Sequence, residues 1–183
     1  MIELANVQPR EDDRVVELLL AGVPEAHRLA SSILRDPVGA EDAVQEALLR
    51  AWSRRRTIRF ESGEPHRWFM RIVVNVCRDE LRRRRRQPVA PVRPTWPAEP
   101  VTERVAGPAS ASADDDDLDR AIGRLKEDEQ IVLGLRFGRD LTIPQIAAQT
   151  GLTEGTVKSR LHYALEHVRA ALDAEHRAEE QKR

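Results

Sequence analysis

The sequence has a single cysteine, Cys77, among 183 residues, and its aromatic side chains are three Trp, three Phe and one Tyr. One thiol excludes an internal disulfide, and no group of Cys and His has metal-site spacing. With an aromatic share of 4%, any core must be aliphatic and helical, rich in Leu, Ile, Val and Ala. No apolar run approaches the length of a membrane span. The N-terminal stretch MIELANVQPREDD lacks the basic and apolar regions of a secretory signal, so a cytoplasmic protein without membrane insertion is expected. There is no phosphate-cradling Gly-rich loop and no Ser/His/Asp or Cys/His arrangement beyond chance. An enzyme is therefore not expected, nor a cofactor, and the five histidines read as ordinary surface or core residues.

The charge is present but segregated. The formal net charge is −1, yet residues 50–86 carry 13 arginines against 4 acids. Residues 87–117 carry 2 arginines against 6 acids, and residues 118–183 balance at 11 of each sign. A positive field beside a negative tether points to a polyanion such as nucleic acid.

Residues 12–86 read as helices. DDRVVELLLAG forms a short segment ending at Gly22, and PEAHRLASSILRD starts a second near Pro24. PVGAEDAVQEALLRAW follows, with Val44, Leu48, Ala51 and Trp52 as its inward stripe. The loop SRRRTIRFESGEPH is punctuated by Gly63 and Pro65. The helix RWFMRIVVNVCRDELRRRRR then threads an apolar face (Phe69, Ile72, Val73, Val76) and a polar rail (Arg71, Asn75, Arg78, Arg82) through the same residues. Trp68 reads as core, Cys77 as a packed neutral thiol, and Asp79 as part of a surface network with Asn75 and Arg83.

From Gln87 to Asp117 the chain holds six prolines and six alanines and ends in DDDD. With no periodic face to bury, it reads as an extended or disordered linker, stiffer than a Gly/Ser tether. Trp96 stands out within it as a candidate anchor. Helical patterning resumes with LDRAIGRLKEDEQIVLGLRF, turning between Leu125 and Asp128. Gly134 is an imperfection in that helix, costing roughly 1 kcal/mol relative to Ala. The expectation is an all-α chain of two small helical domains on a flexible arm.

The stretch LTIPQIAAQTGLTEGTVKSRLHYALEHVRAAL has the grammar of a helix-turn-helix. Thr142 caps its first helix with Gln145 three residues on, and Pro144 lies in the first turn. Ile143, Ile146 and Ala147 form the packing side, Gly151 makes the turn, Leu152 plugs the angle and Thr153 caps the second helix. Val157, Leu161, Ala164 and Val168 recur as one buried stripe. The opposite side offers Thr156, Lys158, Ser159, Arg160 and Tyr163, short hydrogen-bonding groups near a helix N-terminus with cations alongside, as a major-groove helix needs. Glu154 suits either a cytosine amino group or the helix dipole.

Taken together, these motifs resemble the extracytoplasmic-function (ECF) sigma factors, small two-domain initiation subunits of bacterial RNA polymerase in the sigma-70 family. DPVGAEDAVQEALLRAW looks like the segment that docks on the polymerase clamp helices. RWFMRIVVNVCRDELRRRRR carries Trp68, Asn75 and Asp79 where the family has Trp, Asn and Asp, and LTIPQIAAQTGLTEGTVKSRLHYAL is similar to the −35 reader. The resemblance covers residues 12–86 and 118–172. It implies a region 2-like domain over 12–86, a linker over 87–117, and a region 4-like domain over 118–175. It implies core RNA polymerase and promoter DNA as partners, with an anti-sigma factor as a further one. It assigns polymerase contact to Asp42, Gln45, Glu46 and Leu49. The −10 element falls to Arg54, Arg55, Arg56 and Arg59 along the strand, Thr57 and Phe60 as candidates for the base pocket, and the rail Arg71, Asn75, Arg78 and Arg82. The −35 element falls to Thr153, Glu154, Thr156, Lys158, Ser159, Arg160 and Tyr163.

The chain departs from that family in having only VPEAHR between ELLLAG and LASSIL, and LKEDEQ where a Leu-Pro start is usual. A further expectation is that DDDD folds back on the arginine field. The competing reading is a helix-turn-helix regulator with an N-terminal sensing or dimerisation domain.

Overall fold

The computed structural model describes residues 11–55, 64–86 and 113–180. Those residues form helices α1 (Glu11–Leu34), α2 (Pro37–Arg54), α3 (Glu64–Arg86), α4 (Ala113–Gly123), α5 (Glu127–Leu133), α6 (Ile143–Thr150) and α7 (Glu154–Glu180). Between α5 and α6, Gly134–Gly138 make one π-helical turn. The architecture is all-α, as expected, and none of the described helices is long and apolar enough to cross a membrane.

The first helix corrects the sequence reading. Gly22 and Pro24 do not separate two segments; both lie inside α1. A proline inside a helix removes a hydrogen bond and normally disrupts it. Here burial on both sides of the proline outweighs that cost, because Leu19, Ala26, Leu29, Ala30 and Ile33 all pack into one core. Leu19 precedes Pro24 and the others follow it, so a break would take one set off the core.

Asp36 opens α2 with its carboxylate accepting the Val38 N–H at 3.1 Å, and Pro37 takes the first turn, where no N–H is needed. The buried side of α2 is Ala40, Ala43, Val44, Ala47 and Ala51, small residues that let α1 and α3 approach. Trp52 is not inward as expected but 44% exposed. One step beyond Ala51 turns it off the core face, and Arg55 stacks over its ring at 3.7 Å.

Phe69, Met70, Ile72, Val73, Val74, Val76 and Cys77 of α3 are all buried, a wider face than the expected Phe69, Ile72, Val73 and Val76. The reason lies in the second helical group. α3 packs on α1 and α2 and also on α5 and α6, which widens its buried face. Trp68 is half-buried against the same core.

The second group departs from expectation at its start. Asp114–Asp117, read from composition as linker, lie in the first turns of α4. Carboxylates are favoured at a helix N-terminus, where the unpaired N–H groups carry partial positive charge. Asp117 is buried and pairs with Arg120 of its own helix, so this acid does not fold back on the α3 arginines. The two helical groups are those expected, and their apolar faces meet. One continuous apolar cluster runs from Leu19 and Phe69 through Ile131, Val132 and Leu135 to Ile146, Val157 and Leu161. Trp96 and the rest of 87–112 lie outside the described residues.

Candidate nucleic-acid and polymerase surfaces

The outer side of α2 carries Asp42, Gln45, Glu46 and Leu49, all exposed. Leu49 is 66% exposed among acids, an apolar knob on the outer side of the helix. Behind it, Arg50 reaches Glu46 at 2.7 Å and Asp79 of α3 at 2.9 Å. Those contacts, Asp79 first and Glu46 second, hold its guanidinium above its ordinary pKa. Asp79 therefore belongs to an Arg50 network, not to the expected one with Asn75 and Arg83. Arg83 pairs instead with Glu80, three residues away. At the end of α2, Arg55 donates to the Trp52 carbonyl at 2.9 Å. Arg54 and Arg55 thus stand at the start of the arginine loop, while Arg56, Thr57, Arg59 and Phe60 lie outside the described residues.

On α3 the rail residues Arg71, Asn75 and Arg82 are exposed and Arg78 is partly covered, yet two of its arginines are engaged by the second helical group. Arg78 Nη1 donates to Asn75 Oδ1 at 2.6 Å, and Arg78 Nε donates to Asp128 Oδ1 at 2.9 Å. Arg71 Nε donates to the Ala148 carbonyl at 2.9 Å. Arg82 is exposed. Asp128 stands just inside α5 and Ala148 near the end of α6, so the rail faces the helix-turn-helix half. Beneath it Cys77 is fully buried, and burial pushes its thiol up to about 12, outweighing the opposing pull of Arg84. A thiol kept protonated in this way is not a nucleophile.

The helix-turn-helix forms as its sequence dictates. The Gln145 side chain accepts the Thr142 N–H at 2.8 Å, completing the capping box. Gly151 takes φ of +75°, a left-handed position that favours glycine, and its N–H returns to Ala147. The Thr153 hydroxyl accepts the Thr156 N–H at 3.2 Å. Val157, Leu161 and Ala164 are buried, and Val168 packs against them or their neighbours. Away from that stripe, Thr153, Glu154, Lys158, Ser159 and Tyr163 are exposed, while Thr156 and Arg160 are half-covered. Arg160 Nη2 lies 3.0 Å from Asp128 Oδ2. Sequence reasoning missed Asp128 and the closeness of Gly134 to α1; the interruption of a helical run by Gly134 was the available signal.

Two family matches occur in chain order: residues 18–87 match Sigma-70 region 2, and residues 121–170 match Sigma-70 region 4. The chain belongs to the sigma-70 family. It is 32% identical to the ECF RNA polymerase sigma factor SigL of Mycobacterium tuberculosis over 152 residues, covering 79% of this chain and 81% of SigL. It is 35% identical to SigM of the same organism over 136 residues, covering 74% of this chain and 65% of SigM. The match thus spans just under two thirds of the length of SigM. Among solved structures, it resembles the sigma factor RpoE from Bartonella quintana in complex with the anti-sigma factor NepR. That likeness has a TM-score of 0.54 and 26% identity, over 86% of this chain and 96% of RpoE. These relatives place the sigma factor in the ECF branch. The family is non-catalytic, so its sites are to be read as recognition surfaces.

Proposed function

We propose that this sigma factor directs transcription initiation by core RNA polymerase through the −35 duplex and the −10 element. The observation that carries the reading is the order of its parts: region 2, then region 4 with a fully capped helix-turn-helix. The exposed side of α2, with Asp42, Gln45, Glu46 and Leu49, docks on the polymerase. The N-terminal turns of α7 enter the −35 major groove, with Thr153, Glu154, Thr156, Ser159 and Arg160 toward base edges and Lys158 and Tyr163 toward phosphates. The arginines at 54, 55, 56 and 59 and the α3 rail hold the opened −10 strand, whose extruded base is received by the loop bearing Thr57 and Phe60. The division into 12–86, 87–117 and 118–175 is the functional one on this reading. An anti-sigma factor, the class of partner seen with RpoE, is a further proposed partner.

Run-off transcription with purified core polymerase and a genomic library tests the reading. Promoter-specific transcripts dependent on this protein are expected. Absence of such transcripts together with absence of core binding rejects it, and symmetric footprints on duplex DNA without polymerase would point to an ordinary regulator.

A further inference from the structure

The Asp128 carboxylate is shared by two arginines from opposite halves of the chain. Its Oδ1 accepts from Arg78 Nε of α3 at 2.9 Å, and its Oδ2 faces Arg160 Nη2 of α7 at 3.0 Å. The Arg78 side chain is only 16% exposed, so the pairing withdraws it from solvent. Along the same seam, Arg71 donates to the carbonyl of Ala148. That carbonyl lies in the last turn of α6, where carbonyls lack helical partners and a cation is favoured.

The seam is shaped as well as charged. A Cβ at Gly134 would stand 2.4 Å from the Ser32 carbonyl oxygen and 3.1 Å from Ile33 Cα. One at Gly138 would stand 2.7 Å from Ser32 Cβ. Glycine weakens a helix relative to alanine, so Gly134 is costly to its own segment. Its use is to let the backbone of α1 lie against the start of the π-helical turn. A polar clasp and a glycine seat thus mark one interface independently.

We propose that Asp128 is a clasp closing the chain on itself, holding Arg78 and Arg160 where neither can reach promoter DNA. The DNA roles of the two arginines rest on the functional reading above. Because both share one carboxylate, a strand that takes Arg78 loosens Arg160, and a groove that takes Arg160 loosens Arg78. By linkage, each promoter contact then favours the other. The closed state is poised to open, since Arg160 Nη1 is buried beside the clasp with no hydrogen-bond partner among the described residues. The outer side of α2 stays exposed in this state, so the closed chain is competent to dock on polymerase before DNA competes for the arginines.

The test uses the full chain with donor and acceptor dyes on His27→Cys and Ala174→Cys, both at exposed positions, while Cys77 stays buried. Energy transfer is measured in the free protein carrying Asp128→Asn or Gly134→Ala. Each substitution is expected to lower transfer, shifting the open-to-closed ratio about fivefold or more. Gly134→Ala should do so with helical content retained, which separates opening from unfolding. Unchanged transfer in both variants overturns the proposal. A fall with Gly134→Ala but not with Asp128→Asn overturns the clasp while leaving the seam. Core-polymerase binding is assayed separately, so its failure would count against the functional reading and not against this result.

Discussion

Arg84, in the last turn of α3, donates to the Asp36 carboxylate at 2.8 Å, and Asp36 is the residue that caps α2. The same guanidinium reaches Glu80 at 2.7 Å. Part of the arginine run is thus engaged in closing the region 2 bundle, and the run is not uniformly a DNA surface. Arg82 and Arg86 remain exposed. Replacing Arg84 by Ala is expected to cost about 1 kcal/mol, the pair being a third exposed and partly screened. Arg82→Ala should stay within about 0.5 kcal/mol. Urea denaturation of the two variants distinguishes them.

Gly39 lies against the same pair. A Cβ there would stand 2.2 Å from Arg84 Nη2 and 2.6 Å from Asp36 Oδ2. Gly39→Ala should gain helix propensity yet displace the arginine. Its effect and that of Arg84→Ala are expected to be non-additive, since both act through one contact. A double-mutant cycle that closes to zero would separate the two positions.

Glu80 supplies an acid-side prediction. Arg83 lowers its pKa, burial opposes the shift, and Arg84 adds to the lowering. The stabilisation is therefore complete above the ordinary carboxylate range and is lost as pH falls through the depressed value. Glu80→Gln should be less stable than the parent at neutral pH, and the gap should close on acidification. Unfolding measured from pH 7 downward reads this directly.

Cys77 acts at the other end of the scale. The unfolded chain ionises near the ordinary thiol value of about 8.5, whereas the buried thiol holds its proton to about 12. Between those limits the unfolded state binds fewer protons, so stability falls as pH rises. Cys77→Ala should lack that part of the alkaline slope. In the parent, a thiol reagent at pH 8 should modify Cys77 only after denaturant is added.

Ile146 is fully buried where the helix-turn-helix meets the common core. Ile146→Ala is expected to cost about 2–5 kcal/mol through lost burial and the cavity left behind. Because its cluster extends to Phe69 and Val73, calorimetry should show both halves of the chain affected. Two independent transitions, with only one displaced, would contradict the shared core.

The local grammar was legible in the residues. Thr142 with Gln145, Gly151, and the Val157–Leu161–Ala164 stripe each act within a turn or two, so their chemistry is written in adjacent positions. The set on α2, Asp42, Gln45, Glu46 and Leu49, was named by the family resemblance, and all four residues are exposed. Where the reading missed, the deciding contact was remote: Gly22 and Pro24 stay helical because residues on both sides of them reach one core. Trp52 turns outward because the step from Ala51 leaves the stripe and Arg55 covers its ring.

Neighbouring residues were enough to specify the helical periodicity, the two caps of the helix-turn-helix and the charge of the rail. Where that rail looks depends on packing between helices far apart in the chain. Periodicity sorts side chains onto faces of one helix, but it carries no term for which distant helix covers a face. That was settled by the seat of Gly134 on Ser32 and by the carboxylate of Asp128, 50 residues from Arg78 in sequence and 2.9 Å from it in space.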